Sequence, residues 1–157
     1  MKYNIRQAHP HEAQLLTDLA MRSKQSNGYD DEFMEQCRDE LTVTEQSLLE
    51  AEFWVAETED ENNVVCGCVG LSVDKVGKSA EVNSFFIDPD WKRQGIGRLL
   101  WQDLVLRAID MGISQLRLDA DPSAVSFYEA LGFEIISYTP SGSIAGRKLP
   151  HMTITLV

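Results

Sequence analysis

The sequence predicts a mixed α/β domain, and three observations support this class. Segments with strand and helix periodicity alternate along the 157 residues without an internal repeat. Two strand candidates, residues 52–58 and 64–73, are separated by a turn-like acidic segment and are typical of a hairpin. A strand at 80–88, a helix at 96–111 and a strand at 116–119 then form a strand–helix–strand unit. Such a unit implies a parallel strand pair with a right-handed crossover.

The N-terminal third predicts one strand and two helices. Residues 3–8 are expected to form the strand, and Asn27-Gly28 ends the first helix. The apolar residues of that helix recur at helical spacing and are Ala13, Leu16, Leu19 and Ala20. A second helix is expected near Asp30, whose carboxylate can cap it. Its inward-facing residues are Phe33, Met34 and Cys37, and a polar loop is expected between it and the hairpin.

The C-terminal part predicts one short helix and two strands. Asp121-Pro122 indicates the helix start, because an acidic cap is followed by proline at the first helical position. The last two strands are expected at 133–138 and 152–157, joined by a loop at 139–150 that is rich in Ser, Gly and Pro. An exposed last strand could pair with a second copy of the chain, which leaves a homodimer open.

The chain is acidic, and the acidity is concentrated in one segment. Against 14 Lys and Arg stand 25 Asp and Glu, a net charge of −11. Residues 30–61 contain thirteen acids and one base, Arg38, so this segment alone carries −12. Nucleic acids and anionic membranes bind basic surfaces, so neither is an expected partner. No apolar run approaches the ~18 residues of a membrane helix and the N-terminus lacks a signal peptide, so a cytoplasmic, single-domain protein over residues 1–157 is expected. No spacing of His, Cys or acids predicts a metal site.

The strongest functional signal is Lys92-Arg93-Gln94-Gly95-Ile96-Gly97-Arg98, between the third strand candidate and the long helix. Its glycines allow the backbone to approach a ligand, and free N–H groups at a helix start favour an anion. Three bases and no acid strengthen this indication of a phosphate-binding loop. A lone Gly-x-Gly is also compatible with a tight turn beside surface bases. The segment lacks the endings of a nucleotide P-loop and of a dinucleotide fingerprint.

Residues 81–100 resemble the acyl-CoA-binding motif of the GNAT N-acetyltransferases, Arg/Gln-x-x-Gly-x-Gly/Ala, with Lys92 at the Arg/Gln position. Residues 124–133, Ala-Val-Ser-Phe-Tyr-Glu-Ala-Leu-Gly-Phe, resemble the family's Ala-x-x-Phe-Tyr-x-x-x-Gly-Phe segment. The resemblance extends over about residues 50–138. It implies a GNAT-like acyl-CoA N-acyltransferase fold, with a central mixed sheet of about six to seven strands flanked by about four helices. It also implies acetyl-CoA as cosubstrate, without a metal.

The resemblance implies a set of cofactor contacts. The pyrophosphate would lie on the amides of residues 93–98, and the pantetheine arm would pair with the strand backbone near Phe85 and Ile87. The implied cofactor-binding residues are Phe85, Ile87, Lys92, Arg93, Gln94, Gly95, Ile96, Gly97, Arg98, Asp121, Ala124 and Phe127. The family often has asparagine where this chain has Asp121, so the sequence departs from the pattern there.

The resemblance also implies direct acyl transfer with two catalytic residues. Tyr128 is expected to give a proton to the departing thiolate, and the alternative is aromatic packing with Phe127 and Phe133. Glu81 is expected to take the proton of the amine, directly or through water, and the alternative is a solvated acid on a strand. Strand alternation predicts one shared face for Glu81, Asn83, Phe85 and Ile87.

The expected function is acetyl transfer from acetyl-CoA to a primary amine of a small molecule, peptide or protein. One alternative is a non-catalytic acyl-CoA sensor or assembly subunit of the same fold, and another is a protein that binds a different phosphorylated ligand. The acidic segment 30–61 is either a wall that attracts a cationic amine or a solubilising surface.

Overall fold

The computed structural model describes residues 2–74 and 76–156, and its centre is one seven-stranded sheet. The strands are β1 (Tyr3–Gln7), β2 (Glu52–Thr58), β3 (Val65–Val73), β4 (Ser79–Ile87), β5 (Gln115–Asp119), β6 (Glu134–Pro140) and β7 (Lys148–Thr155). Their order is β1-β2-β3-β4-β5-β7-β6. The β4–β5 pair is parallel and the other five pairs are antiparallel. The predicted mixed α/β class, hairpin and strand–helix–strand unit are therefore confirmed.

Five helices cover the two faces of the sheet. They are α1 (Ala13–Gln25), α2 (Asp31–Leu41), α3 (Glu45–Glu50), α4 (Ile96–Asp110) and α5 (Val125–Leu131). Apolar residues of α4 and α5 pack on one face, where Leu100 and Leu104 are buried. Residues of α1, α2 and α3 pack on the other, where Leu16 and Leu19 are buried. Among residues 2–74 and 76–156, no helix combines the length and apolar character that crossing a membrane requires.

Local signals explain where the helices on the acidic segment begin. The carboxylate of Asp30 accepts the N–H of Phe33 at 2.8 Å and caps α2, as predicted. The expectation of a polar loop between α2 and the hairpin is wrong, because this part of the chain contains α3 (Glu45–Glu50). Thr44 caps α3 by accepting the N–H of Ser47 at 3.0 Å, and the Ser47 hydroxyl in turn accepts the N–H of Thr44. This reciprocal box stabilises a helix too short and polar to show periodicity.

The C-terminal strands differ from the expectation in length and position. The hairpin between β6 and β7 is extended to Pro140 and Lys148, so the connecting loop covers only residues 141–147. The last strand is not an exposed edge, because β7 pairs with β5 on one side and with β6 on the other. Met152 is fully buried in the core. The strand at this edge of the sheet is β6.

Candidate active site

A cleft opens where β4 and β5 diverge. Their parallel register runs from Ser79 opposite Gln115 to Glu81 opposite Arg117 and then ends. Since β4 continues to Ile87, its backbone beyond Glu81 has no strand partner on the β5 side within the described residues. The cleft has a volume of about 710 Å³, within the ~300–1,000 Å³ usual for small-molecule sites.

A β-bulge bends β4 along the cleft. Cys68 of β3 pairs with Phe86, and Gly70 pairs with Asn83, so β4 has one more residue than β3 in this interval. Ser84 adopts a left-handed φ of +53°, which is uncommon for a residue with a side chain. A bulge of this kind re-aims the side chains that follow it.

The expectation that Glu81, Asn83, Phe85 and Ile87 share one face is therefore wrong. Val82 is buried in the core beneath α4, so its neighbours Glu81 and Asn83 project to the opposite face, toward α1 and α2. After the bulge, Phe85 and Ile87 pack against the α4 core instead. The cleft consequently has lining side chains from both faces of the sheet.

The loop from Lys92 to Arg98 forms the basic end of the cleft. Arg93 and Gly95 adopt left-handed φ values of +64° and +78°, which turn the chain sharply into α4. The first N–H groups of α4 have no partner within the helix and carry its positive partial charge. The side chain of Lys92 also donates from Nζ to the Ser26 Oγ at 2.6 Å, which connects this loop to the end of α1. The geometry is that of an anion site.

Close packing of α4 on α5 builds an apolar wall beside this loop. A Cβ added at Gly97 would lie 3.3 Å from Cζ of Phe127, so a side chain there would require the Phe127 ring to shift by a few tenths of an ångström. The Phe127 ring meets the Phe85 ring edge-on, with ring centroids 5.8 Å apart. Both rings line the cleft.

Glu81 lies at the vertex of the cleft, as the last β4 residue that pairs with β5. Its side chain is exposed and lines the cleft. Its register partner, Arg117, donates to the Ser79 Oγ at 2.9 Å. Within the part of the chain that the structure describes, Glu81 forms no ion pair, so its carboxylate is available to a ligand.

Tyr128 is a buried side chain whose hydroxyl reaches the cleft. The residue is 9% exposed, and its ring packs edge-on against Phe85 and Phe133 with centroids 6.2 and 5.6 Å away. The hydroxyl has no hydrogen-bond partner among residues 2–74 and 76–156. Burial, reinforced by the negative charge of Asp121, raises the pKa of Tyr128 above its ordinary value. The phenol therefore remains a proton donor throughout the neutral range.

Asp121 joins three connecting segments of the chain. Its carboxylate accepts the Tyr29 hydroxyl at 2.9 Å and pairs with Lys24 at 3.2 Å and Arg147 at 3.5 Å. It also accepts the N–H of Ser123 at 3.0 Å. Burial acts to raise the pKa of Asp121, but the hydrogen bonds from Ser123 and the charge of Lys24 outweigh it and lower this pKa to about 2. The ionised carboxylate thus holds the α1–α2 turn against the β5–α5 junction and the β6–β7 loop.

A cleft with an anion site at one end, an apolar wall and free strand backbone suits an extended, partly anionic ligand. Residues 13–156 match the family model described as an acetyltransferase (GNAT) domain. The chain belongs to the GNAT acetyltransferase family. This confirms the resemblance on residues 81–100 and 124–133.

Relatives in the GNAT family support the same assignment. A peptidyl-lysine N-acetyltransferase, YjaB, from Salmonella typhimurium is 30% identical over 98% of both chains. N-acetyltransferase 8 from Homo sapiens is 35% identical over 62% of this chain, and the match spans 46% of that relative. The PaiA N-acetyltransferase of Thermoplasma acidophilum, solved in complex with coenzyme A, superposes with a TM-score of 0.77 at 20% identity and covers 99% of each chain. This structure shows the same fold.

The structure brings nearly all of the GNAT site residues predicted from sequence to one place. Thirteen of those fourteen residues line the cleft. The exception is Gln94, which is exposed between Arg93 and Gly95. Ala124 and Ile96 line the cleft where α5 and α4 begin. The roles of all these residues stay predictions.

Sequence reasoning offered the acidic segment 30–61 as a possible wall but did not identify the residues that form the opposite wall of the cleft. Its lining residues come from the ends of α1 and α2 and from the β6–β7 hairpin, and they are Ser23, Lys24, Asn27, Glu40, Leu41, Pro140, Gly142 and Leu149. No local motif connects these segments. One available signal was the density of acids in residues 30–61, of which Glu40 is the one that lines the cleft within the described residues.

Proposed function

We propose that this chain transfers an acetyl group from acetyl-CoA directly to a primary amine of a small molecule, peptide or protein. The observation that carries the proposal is the cleft between β4 and β5, which has a basic loop at one end and both Glu81 and Tyr128 in its walls. Membership of the GNAT family supports it. A relative named as a peptidyl-lysine N-acetyltransferase makes a lysine side chain one candidate acceptor.

The residues present fit acetyl-CoA. The α4 amides and the side chains of Lys92, Arg93 and Arg98 suit a pyrophosphate. The unpaired backbone of β4 near Phe85 and Ile87 can hydrogen-bond an extended chain of amides, as a neighbouring strand would. PaiA, which has the same fold, was solved with coenzyme A, and this supports acetyl-CoA as the cosubstrate. When bound, acetyl-CoA supplies a thioester whose carbonyl carbon an amine attacks and whose thiolate leaves.

Two side chains would move the protons of this reaction. The Glu81 carboxylate, directly or through a water molecule, takes a proton from the amine, because an alkylammonium with a pKa of ~10.4 is not a nucleophile. The amine nitrogen bonds to the acetyl carbon as the bond from that carbon to sulfur breaks. The Tyr128 hydroxyl gives its proton to the departing sulfur. The nitrogen loses its second proton to solvent as the amide forms, and proton exchange with solvent then restores both groups.

Paired variants test these roles. Glu81→Gln and Tyr128→Phe should each lower kcat by about 10²-fold or more, the usual contribution of a general acid or base, and leave acetyl-CoA affinity within about twofold. Turnover is measured as CoA release over a panel of amines, and affinity by calorimetry. Glu134→Gln and Tyr138→Phe on β6 make the same chemical changes outside the cleft and should change neither quantity.

The outcomes separate this proposal from its alternative. Acetyl-CoA binding without CoA release toward any amine would favour a non-catalytic acyl-CoA sensor or assembly subunit. Unchanged turnover in both cleft variants would remove Glu81 and Tyr128 from the mechanism. If a longer acyl-CoA binds more tightly than acetyl-CoA, the transferred group would be that longer acyl group instead of acetyl.

The proposal treats residues 1–157 as one acetyltransferase domain. A cytoplasmic location and a homodimer stay predictions. The homodimer no longer depends on the last strand, since β7 lies inside the sheet. Light scattering on the purified chain, compared with a variant carrying Ile136→Lys on the edge strand β6, measures whether two copies associate there.

A further inference from the structure

A second part of the cleft lining has a charge opposite to that of the basic loop. Helix α2 ends at Leu41, and both Leu41 and Glu40 line the cleft. The last carbonyl groups of a helix carry a negative partial charge, so an acid in the last turn is unfavourable unless a cation is nearby. The N-terminus of α4 lines the same cleft with the opposite polarity. The cleft lining therefore includes a negative helix end at α2 and a positive helix end at α4.

The carboxylate of Glu40 is held in place by the loop between β6 and β7. The Ser143 hydroxyl donates to Oε2 of Glu40 at 3.0 Å. A Cβ at Gly142 would lie 2.6 Å from Oε1, so glycine leaves the space that this oxygen occupies. Within residues 2–74 and 76–156, Glu40 forms no ion pair. Its charge is oriented but not neutralised.

The other acids of the cleft are already committed. Asp119 pairs with His151 at 2.8 Å, and Asp121 is held by Lys24 and Arg147. Glu81 is the proposed proton acceptor. Glu40 is therefore the remaining carboxylate in the described lining that is free to bind a cationic group of a ligand.

An independent feature of this cleft is a polar group that a ligand can hydrogen-bond. The side chain of Tyr128 is nine-tenths buried, and its hydroxyl has no hydrogen-bond partner in the described chain. The hydroxyl itself is not a buried atom, so it is accessible from the cleft, where a bound molecule or water can supply its partner. Tyr128 and Glu40 line the same cleft.

We propose that Glu40 is a specificity-determining residue that selects an acceptor with a second positive charge besides the attacking amine. This inference rests on the proposed function. The attacking amine must lose its proton to react, so it cannot keep an ion pair during the reaction. A second ammonium or guanidinium group keeps its charge and can bind both the Glu40 carboxylate and the C-terminus of α2. Glu40 does not touch the reacting atoms.

The test compares linear diamines, from diaminopropane to diaminooctane, with the monoamine of the same chain length. For wild type, kcat/KM should be higher for the best diamine than for its monoamine. Glu40→Gln keeps the shape of the side chain and should lower kcat/KM for that diamine about tenfold, as expected for loss of one partly exposed charge-assisted contact. It should change the monoamine less than twofold. Asp39→Asn removes the same charge from the neighbouring residue, which does not line the cleft, and should have no effect on either.

Binding of the same amines to the CoA-saturated protein, measured by calorimetry, separates the two proposals. Binding of the diamine that depends on Glu40, without any CoA release from acetyl-CoA, would overturn the proposed function and keep this inference. Turnover that Glu40→Gln lowers equally for diamine and monoamine, or does not lower, would overturn this inference and keep the function. Absence of both binding and turnover would overturn both.

Discussion

The two ends of the cleft are built in different ways. The basic end is made by residues 92–98, all but Gln94 lining the cleft, at one junction between a strand and a helix. The acidic end combines Glu40 from α2, Glu81 from β4 and the loop at Gly142, which are far apart in the sequence. The basic end, which is proposed to bind the cofactor, therefore depends on local sequence. The acidic end, which is proposed to bind the acceptor, depends on tertiary packing. Changes at one end should therefore leave the other intact.

The largest effect is expected from the charges of the basic end. Replacing Arg93 and Arg98 together by Gln should weaken acetyl-CoA binding about hundredfold, because each charge-assisted contact to a phosphate contributes about tenfold. The dependence of this affinity on salt should also weaken. Calorimetry at several ionic strengths measures both quantities.

A control for this double variant is Arg38→Gln with Arg107→Gln. These two arginines form ion pairs with helix neighbours, Glu35 and Asp103, outside the cleft. Equal loss of affinity in both double variants would show that net charge, rather than the loop, attracts the cofactor.

A smaller effect is expected from the backbone of the same loop. Gly95 and Gly146 adopt nearly equal φ values, +78° and +79°, and neither has an atom within 4 Å of an added Cβ. Alanine costs about 1–2 kcal/mol in this conformation. At Gly95 we expect the strain to turn the amides at the start of α4 and lower acetyl-CoA affinity about tenfold.

The Gly146→Ala variant introduces the same backbone strain in the β6–β7 loop. It should reduce the melting temperature to a similar extent without a change in acetyl-CoA affinity. Calorimetry and thermal unfolding of the two variants give the comparison. A loss of affinity in both would mean that stability, and not loop geometry, controls binding.

Most of the fold was predictable because its elements have local signals. Two strand candidates on either side of a turn-like acidic segment marked the hairpin, and Gly95 and Asp121-Pro122 marked two helix starts. The short α3 was missed because it depends on the capping box at Thr44 rather than on periodicity. The interior position of β7 could not be predicted, since strand order depends on long-range pairing that leaves no local pattern.

The candidate site was predictable to the extent that it is local. The loop at Gly95 and Gly97 has its own sequence motif, and so does the segment containing Tyr128. The bulge at Ser84 has no such signature, and it reverses the alternation on which the faces of Glu81 and Phe85 depend. The acidic segment was expected to be either a wall or a solubilising surface, but Glu40 could not be singled out from it, because Glu40 meets the β6–β7 loop only after that loop and α2 have packed together.

A still smaller effect is expected at the acceptor end from Gly142→Ala. The added Cβ would displace the Glu40 carboxylate, which is flexible, so folding should be nearly unchanged. The KM for the amine should rise about threefold, with acetyl-CoA affinity unchanged. Steady-state kinetics with each substrate varied in turn measures this. A rise confined to the KM for acetyl-CoA would contradict the division of the cleft into two ends.

The smallest effect on ligand binding is expected from Asp121, because it lines the cleft with a carboxylate that Lys24, Tyr29 and Arg147 already engage. Asp121→Asn weakens the ties to Lys24, Tyr29 and Arg147 and should lower Tm at neutral pH by about 3–6 °C. Folding holds the pKa of Asp121 at about 2, below its ordinary value of 3.8. The stabilisation is therefore complete above pH ~4 and is lost as the pH falls toward ~2.

The difference in Tm between wild type and Asp121→Asn should accordingly close over this interval. Thermal unfolding followed by circular dichroism from neutral pH down to pH ~2 measures it. Asp110→Asn, at the exposed end of α4, removes the same charge without breaking the network and should show no such closure. A constant difference at all pH values would mean that Asp121 acts through neutral hydrogen bonds alone. The α1–α2 turn would then be held to the β5–α5 junction by hydrogen bonds that do not depend on this charge.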